Sequence, residues 1–137
     1  MKLIKTYREL SQLHTFEERF HYLDLRGVVG NSTFGMDRYL NQVLYHSREW
    51  RRIRDQIIIR DNACDLGIVG REIFDQIIIH HINPITMANI ERGDDCVYDS
   101  NNLICTSHNT HNSLHFGSDK TLIKLSKTRS KGDTKLW

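Results

Sequence analysis

The spacing of apolar residues changes period several times along the chain, and each change marks an element. Near the start, Thr6 with Glu9 and Thr15 with Glu18 fit the capping box, in which a hydroxyl and a carboxylate three residues on satisfy free backbone donors. Two short helices are therefore predicted there. The glycines of GVVGNSTFG, from Gly27 to Gly35, break any helical period and predict a loop, a natural boundary between an N-terminal segment and the main module. Ser47 is placed to cap a helix running to about Arg60, with Trp50, Ile53 and Ile57 at helical spacing on its core face. Asp61 to Gly70 reads as a turn-rich connection. Ile77, Ile78 and Ile79 are a β-branched run that predicts a strand, delivering His80 and His81 at its end. Pro84 helps to stop that strand. A polar loop is expected from about Thr86 to Asn101, then a short strand Leu103–Cys105. Thr106 or Ser107 is placed to cap a last helix, which Gly117 could end. The expected order is strand, loop, strand, helix.

Composition narrows the class. The 137 residues are 39% hydrophobic and 26% charged, which suits a single folded domain and argues against global disorder. No apolar run approaches the roughly 20 residues a membrane span requires. MKLIKTYREL lacks the apolar stretch of a secretory signal, so a cytoplasmic location is expected. Cys64, Cys96 and Cys105 never form a C-x-x-C pair, which argues against a disulfide framework or a four-cysteine zinc knuckle and for reduced, mostly buried thiols. Net charge is only +2, but Arg48, Arg51, Arg52, Arg54 and Arg60 cluster on the predicted helix and SKTRSKGDTKLW ends the chain. Local basic patches are the footprint of phosphate binding; a solvated helix face is the plainer reading.

The chemistry lies in the histidines. Of the eight, five fall in the strand–strand–helix stretch: His80, His81, His108, His111 and His115. His111 and His115 are four apart, share a helix face, and can grip one metal ion through imidazole nitrogens. Asn112 follows His111 where an H-E-x-x-H metalloprotease carries its glutamate base, so a protease is excluded. His80 and His81 are neighbours on an extended strand and point to opposite faces. One can turn to a metal while the other faces a separate pocket. Phosphodiester hydrolysis needs that division: charge neutralised at the phosphate, and a separate group taking a proton from water. Histidine titrates near neutral pH and can be that base, provided an asparagine side chain or backbone carbonyl orients its ring.

IIIHHINP followed by NLICTSHNTHNSLH resembles the signature of the HNH, or ββα-metal (His-Me finger), endonucleases. The run from TYREL through FGMDRYLNQ and YHSREWRRIRDQIIIRDN to HNSLHFG resembles the small HNH proteins of tailed bacteriophages and prophages. The resemblance implies an α+β fold with a ββα-metal core and an N-terminal helical extension in one small domain. Its parts are an accessory segment over 1–45, a nuclease module over 46–118 with its core at about 73–117, and a basic tail over 119–137. It implies His81 as general base, Asn102 as the residue orienting the base or its hairpin, and His80, His111 and His115 as ligands of one divalent metal ion. Many family members carry aspartate where His80 stands, and an all-imidazole set suits zinc, nickel, cobalt or manganese better than magnesium, so the identity of the ion stays open among magnesium, manganese, nickel and zinc. The implied substrate is double-stranded DNA, with Arg48, Arg51, Arg52, Arg54 and His108 as DNA contacts. A phage terminase is a conceivable partner, in packaging or a homing role, inside the host cytoplasm.

Two alternatives stand beside this reading. His108, one turn before His111, could close a structural metal site as a fourth ligand, leaving a non-catalytic DNA-binding module. Asn101 competes with Asn102, since either could be a turn residue.

Overall fold

A computed structural model describes residues 3–25 and 43–116, with only the backbone described for His115 and Phe116. The expected loop at Gly27–Gly35, the Gly117 helix stop and the basic tail lie outside the described residues. The fold is α+β. Its elements are α1 (Tyr7–Leu10), α2 (Phe16–Leu23), α3 (Arg48–Arg60), β1 (Cys64–Asp65), β2 (Arg71–Glu72), β3 (Ile78–His81), α4 (Met87–Arg92), α5 (Asp95–Tyr98), a 3-10 turn (Ser100–Asn102), β4 (Leu103–Thr106) and α6 (His108–Phe116). No described helix is long and apolar enough to cross a membrane.

The caps read from the sequence form, with a change of partner. Thr6 and Thr15 accept from the backbone of Glu9 and Glu18, but each hydroxyl then donates to that glutamate's carboxylate. The backbone N–H of Thr6 goes instead to the Tyr22 hydroxyl at 2.7 Å, tying α1 to α2. Ser47 caps α3, and Trp50 and Ile57 are its buried face. The polar stretch after Pro84 is not a loop. Thr86 and Asn89 make a reciprocal capping box, and Gly93, at φ 67° in the left-handed region, ends α4. The connection after Asp61 likewise contains an antiparallel pair, Cys64 opposite Glu72 and Asp65 opposite Arg71.

The β3–β4 hairpin is the centre of the molecule. Its register sets Ile78 opposite Thr106, Ile79 opposite Cys105, His80 opposite Ile104 and His81 opposite Leu103. Alternation then divides the side chains between two cores. Ile79, Leu103 and Cys105 join Trp50, Ile57 and Val97 on the α3 side. Ile104, with Ile82 beyond the strand end, joins Leu114 of α6 and Leu10, Phe16, Phe20 and Leu23 of the first two helices. The two N-terminal helices therefore contribute to the second core.

Arg60, counted above with the basic cluster, is a structural cross-link. Its guanidinium lies 3.6 Å over the Tyr7 ring, pairs with Asp61 at 2.7 Å, and donates to the carbonyls of Ser100 and Leu103. Asp61 in turn accepts from the Cys105 N–H at 2.9 Å, and the Cys105 carbonyl accepts from Leu66 N–H at 3.0 Å. This closes the outer edge of β4.

A Cβ at Gly67, in the turn between β1 and β2, would lie 2.5 Å from Cγ2 of Thr110 on α6. Thr110 is fully buried and cannot swing aside without breaking its bond to Asp65. Gly67→Ala is accordingly expected to destabilise the fold by about 1–3 kcal/mol, the cost of overpacking. Chemical denaturation of both proteins measures this; an unchanged midpoint would mean that α6 does not sit against this turn.

Candidate functional site

The hairpin register decides where the paired histidines go. His80 shares a face with Ile104 and turns toward α6, where it is 2% exposed. Its ring meets that of His111 edge to face, with centroids 5.4 Å apart and planes at 81°. Imidazoles so arranged are suited by donor type to a divalent transition-metal ion. His115 lies one helical turn beyond His111 on α6, and its side chain lies outside the described residues. Among the described residues, no three His, Cys, Asp or Glu side chains assemble into a metal-holding group. His108 in particular does not complete a set with His80 and His111. It is exposed, and its Nε2 accepts from Asn112 Nδ2 at 3.0 Å. Nor are the thiols ready ligands: burial raises all three pKa values, that of Cys105 to about 12.

His81 turns the other way. It stacks on Trp50, with ring centroids 5.4 Å apart and planes at 23°, and Trp50 also packs on Tyr45, with centroids 5.3 Å apart. Its Nε2 lies 2.9 Å from the Val97 carbonyl. A carbonyl only accepts, so Nε2 carries the proton and Nδ1 keeps the lone pair. Desolvation lowers the pKa of the ring to about 4, against the upward pull of the Val97 bond, so it is neutral near pH 7. A backbone carbonyl thus orients the imidazole, one of the two devices expected from sequence.

Asn102 supplies the other half of that arrangement. It is fully buried, and its Oδ1 accepts from Asn83 N at 2.8 Å and Asn83 Nδ2 at 2.7 Å. Its Nδ2 donates to the Cys96 carbonyl at 2.8 Å. The hydrogen bonds of the Asn102 side chain thus go to Asn83 and Cys96, and the His81 ring is held by Val97 instead. Asn102 locks the turn after β3 to α5, the element whose Val97 carbonyl holds the His81 ring. Asn83 passes the link outward, pairing with both backbone groups of Lys5. Asn101 is a surface turn residue that accepts from Arg8 N at 3.1 Å.

Sequence reasoning missed Asp65. This buried carboxylate accepts from the Thr110 hydroxyl, from Ser107 Oγ at 2.8 Å and from Gly67 N at 2.9 Å. It pins the first turn of α6, which Ser107 caps by accepting from Thr110 N, and so sets how that helix presents His111. Burial raises its pKa while these three donors lower it, with a net upward shift. No signal within its own stretch of sequence links Asp65 to Ser107, 42 positions away.

The arginine cluster divides by face. Arg48, Arg51 and Arg52 are exposed on α3, whose opposite side packs on the hairpin. Arg54 is half-buried and, with Tyr45, Trp50, Gln76 and Ile77 to Ile79, lines a cleft of about 120 Å³ beside β3. Its nearest described acid is Asp55, at 3.8 Å. Comparison with protein-family models, with curated proteins and with solved structures yields no match.

Asn102→Asp keeps the acceptor facing Asn83 but sets a carboxylate oxygen against the Cys96 carbonyl. A loss of about 2–4 kcal/mol is expected, as for a buried polar group left facing its own kind. Urea denaturation checks this; a loss below about 0.5 kcal/mol would show that the amide is not held as described. Asp65→Ala strands two hydroxyls and an N–H and is expected to cost about 2–4 kcal/mol by the same measurement.

Proposed function

We propose that the protein is a metal-dependent endonuclease of the HNH type, hydrolysing phosphodiester bonds in double-stranded DNA. The observation that carries this is the opposed pair on β3. His80 meets His111 on one face, while His81 on the other stacks on Trp50 and gives its Nε2 proton to the Val97 carbonyl, keeping its lone pair on Nδ1. Metal binding and proton transfer need that separation, because an imidazole in the coordination shell has no lone pair for water.

In this reading His80, His111 and His115 hold one divalent ion, which when bound neutralises charge at the scissile phosphate. His81 takes the proton from the attacking water at Nδ1. Trp50 and the Val97 carbonyl fix its ring, and a phosphate brought alongside raises its pKa from about 4 toward the working range by favouring the charged form. Asn102 acts at one remove, holding the turn and α5 in place. Asp65 positions α6.

One observation favours a second reading. His81 is largely covered by Trp50, and a histidine kept there for packing alone would leave a DNA-binding module without catalysis. Plasmid cleavage separates the two. His81→Ala is expected to retain metal and duplex affinity within about threefold while cleavage falls roughly 100- to 10,000-fold, the range for losing a general base. Wild-type protein inert toward supercoiled plasmid with magnesium, manganese, nickel and zinc would favour the binding module. Loss of metal in His81→Ala would overturn the division of roles.

A further inference from the structure

The two edges of the central hairpin are treated differently. Cys105 and Leu103 spend their outward backbone groups on Asp61, Leu66 and Arg60. Their partners Ile79 and His81 are therefore the pairs whose own N–H and C=O point away from β4, to the opposite edge. Ile82 N–H donating to Asn102 O at 2.8 Å fixes the same phase. Among the described residues, no second strand lies along that edge of β3. Beside β3 lies the cleft of about 120 Å³, lined by Arg54, Gln76, Trp50 and Tyr45 together with Ile77 to Ile79.

We propose that this cleft is a phosphate site, holding a backbone phosphate of the DNA strand close to the one being cut. Arg54 offers a fork of N–H donors with fixed geometry and the Gln76 amide a further donor, and the register directs the Ile79 N–H away from β4. Ile79 and His81 open to the same edge two residues apart, about 7 Å of strand. A chain of phosphates laid along the edge would therefore run from Arg54 to the proposed base. The occupant is anionic by charge complementarity: Arg54 is 42% exposed at its side chain, and Asp55, the one described carboxylate within 4 Å of it, is 72% exposed and 3.8 Å away. A peptide strand added to the edge would leave the guanidinium unused. Arg48 and Arg52, exposed on α3, are not among the residues that line this cleft. The proposal rests on the nuclease reading for its ligand and names which of the four arginines engages it.

The experiment is fluorescence anisotropy of a short labelled duplex with the full chain in EDTA, so that no cleavage intervenes. Arg54→Ala is expected to weaken binding roughly 10- to 100-fold, the range for removing a charge-assisted hydrogen-bonding donor. The slope of log affinity against log salt should become shallower by about 0.9, one phosphate fewer. Arg54→Lys should restore the slope but only part of the affinity, because the charge returns without the fork. Gln76→Ala should weaken binding at constant slope, and Arg52→Ala should change affinity by less than about threefold. Arg54→Ala binding like wild type, or Arg52→Ala losing as much, overturns the site. A wild type that binds no duplex at any salt overturns the nuclease reading beneath it.

Discussion

Everything in this molecule depends on the strict two-residue alternation of a four-residue strand packed on both faces. β3 is covered by α3 on one side and α6 on the other, so each successive side chain must enter a different core. A slip of one residue would exchange the two sets, placing His80 under Trp50 and Ile79 against α6. The register is pinned by the backbone bonds to β4, by Thr106 donating to the Ile78 carbonyl, and by the Asn102 lock at the other end. Two adjacent histidines can therefore occupy chemically distinct environments a few ångströms apart.

Those environments differ in kind. On the α6 side, the His80 and His111 imidazoles meet edge to face. On the α3 side, His81 lies among aromatic and aliphatic groups, and desolvation dominates its titration. In the reading proposed above, the first would take the cation and the second the base. Neither depends on a cysteine knuckle. Arg60, Asp61 and Asp65 instead fasten the strand-and-helix unit through hydrogen bonds that reach 40 or more residues along the chain.

The buried amides add a second level of order. Asn83 and Asn102 satisfy one another and then reach outward, to Cys96 on one side and Lys5 on the other. A fully paired network of this type rigidifies what it joins, because breaking any member strands the rest in a low dielectric. The N-terminal helices are drawn into the same unit, through Lys5 and through Leu10, Phe16 and Leu23 in the second core.

Local signals in the sequence were enough to locate most elements. Caps at Thr6, Thr15 and Ser47, the isoleucine run before His80, and the helical phase of Trp50 and Ile57 all depend on neighbours within a turn or two. The opposed directions of His80 and His81 were legible for the same reason, whereas Asn101 and Asn102 both read as turn residues until burial set Asn102 apart. The Thr86–Asn89 box and the Gly93 stop were equally local, but a polar composition hid them. Other features join residues that lie far apart along the chain: Val97 as the carbonyl that orients His81, Asp65 as the anchor of α6, Arg60 as a cross-link rather than a surface charge, and Arg54 beside an open strand edge. No periodicity encodes these contacts. They are set when two cores close on one hairpin and each buried polar group must find whichever partner the packing brings within reach.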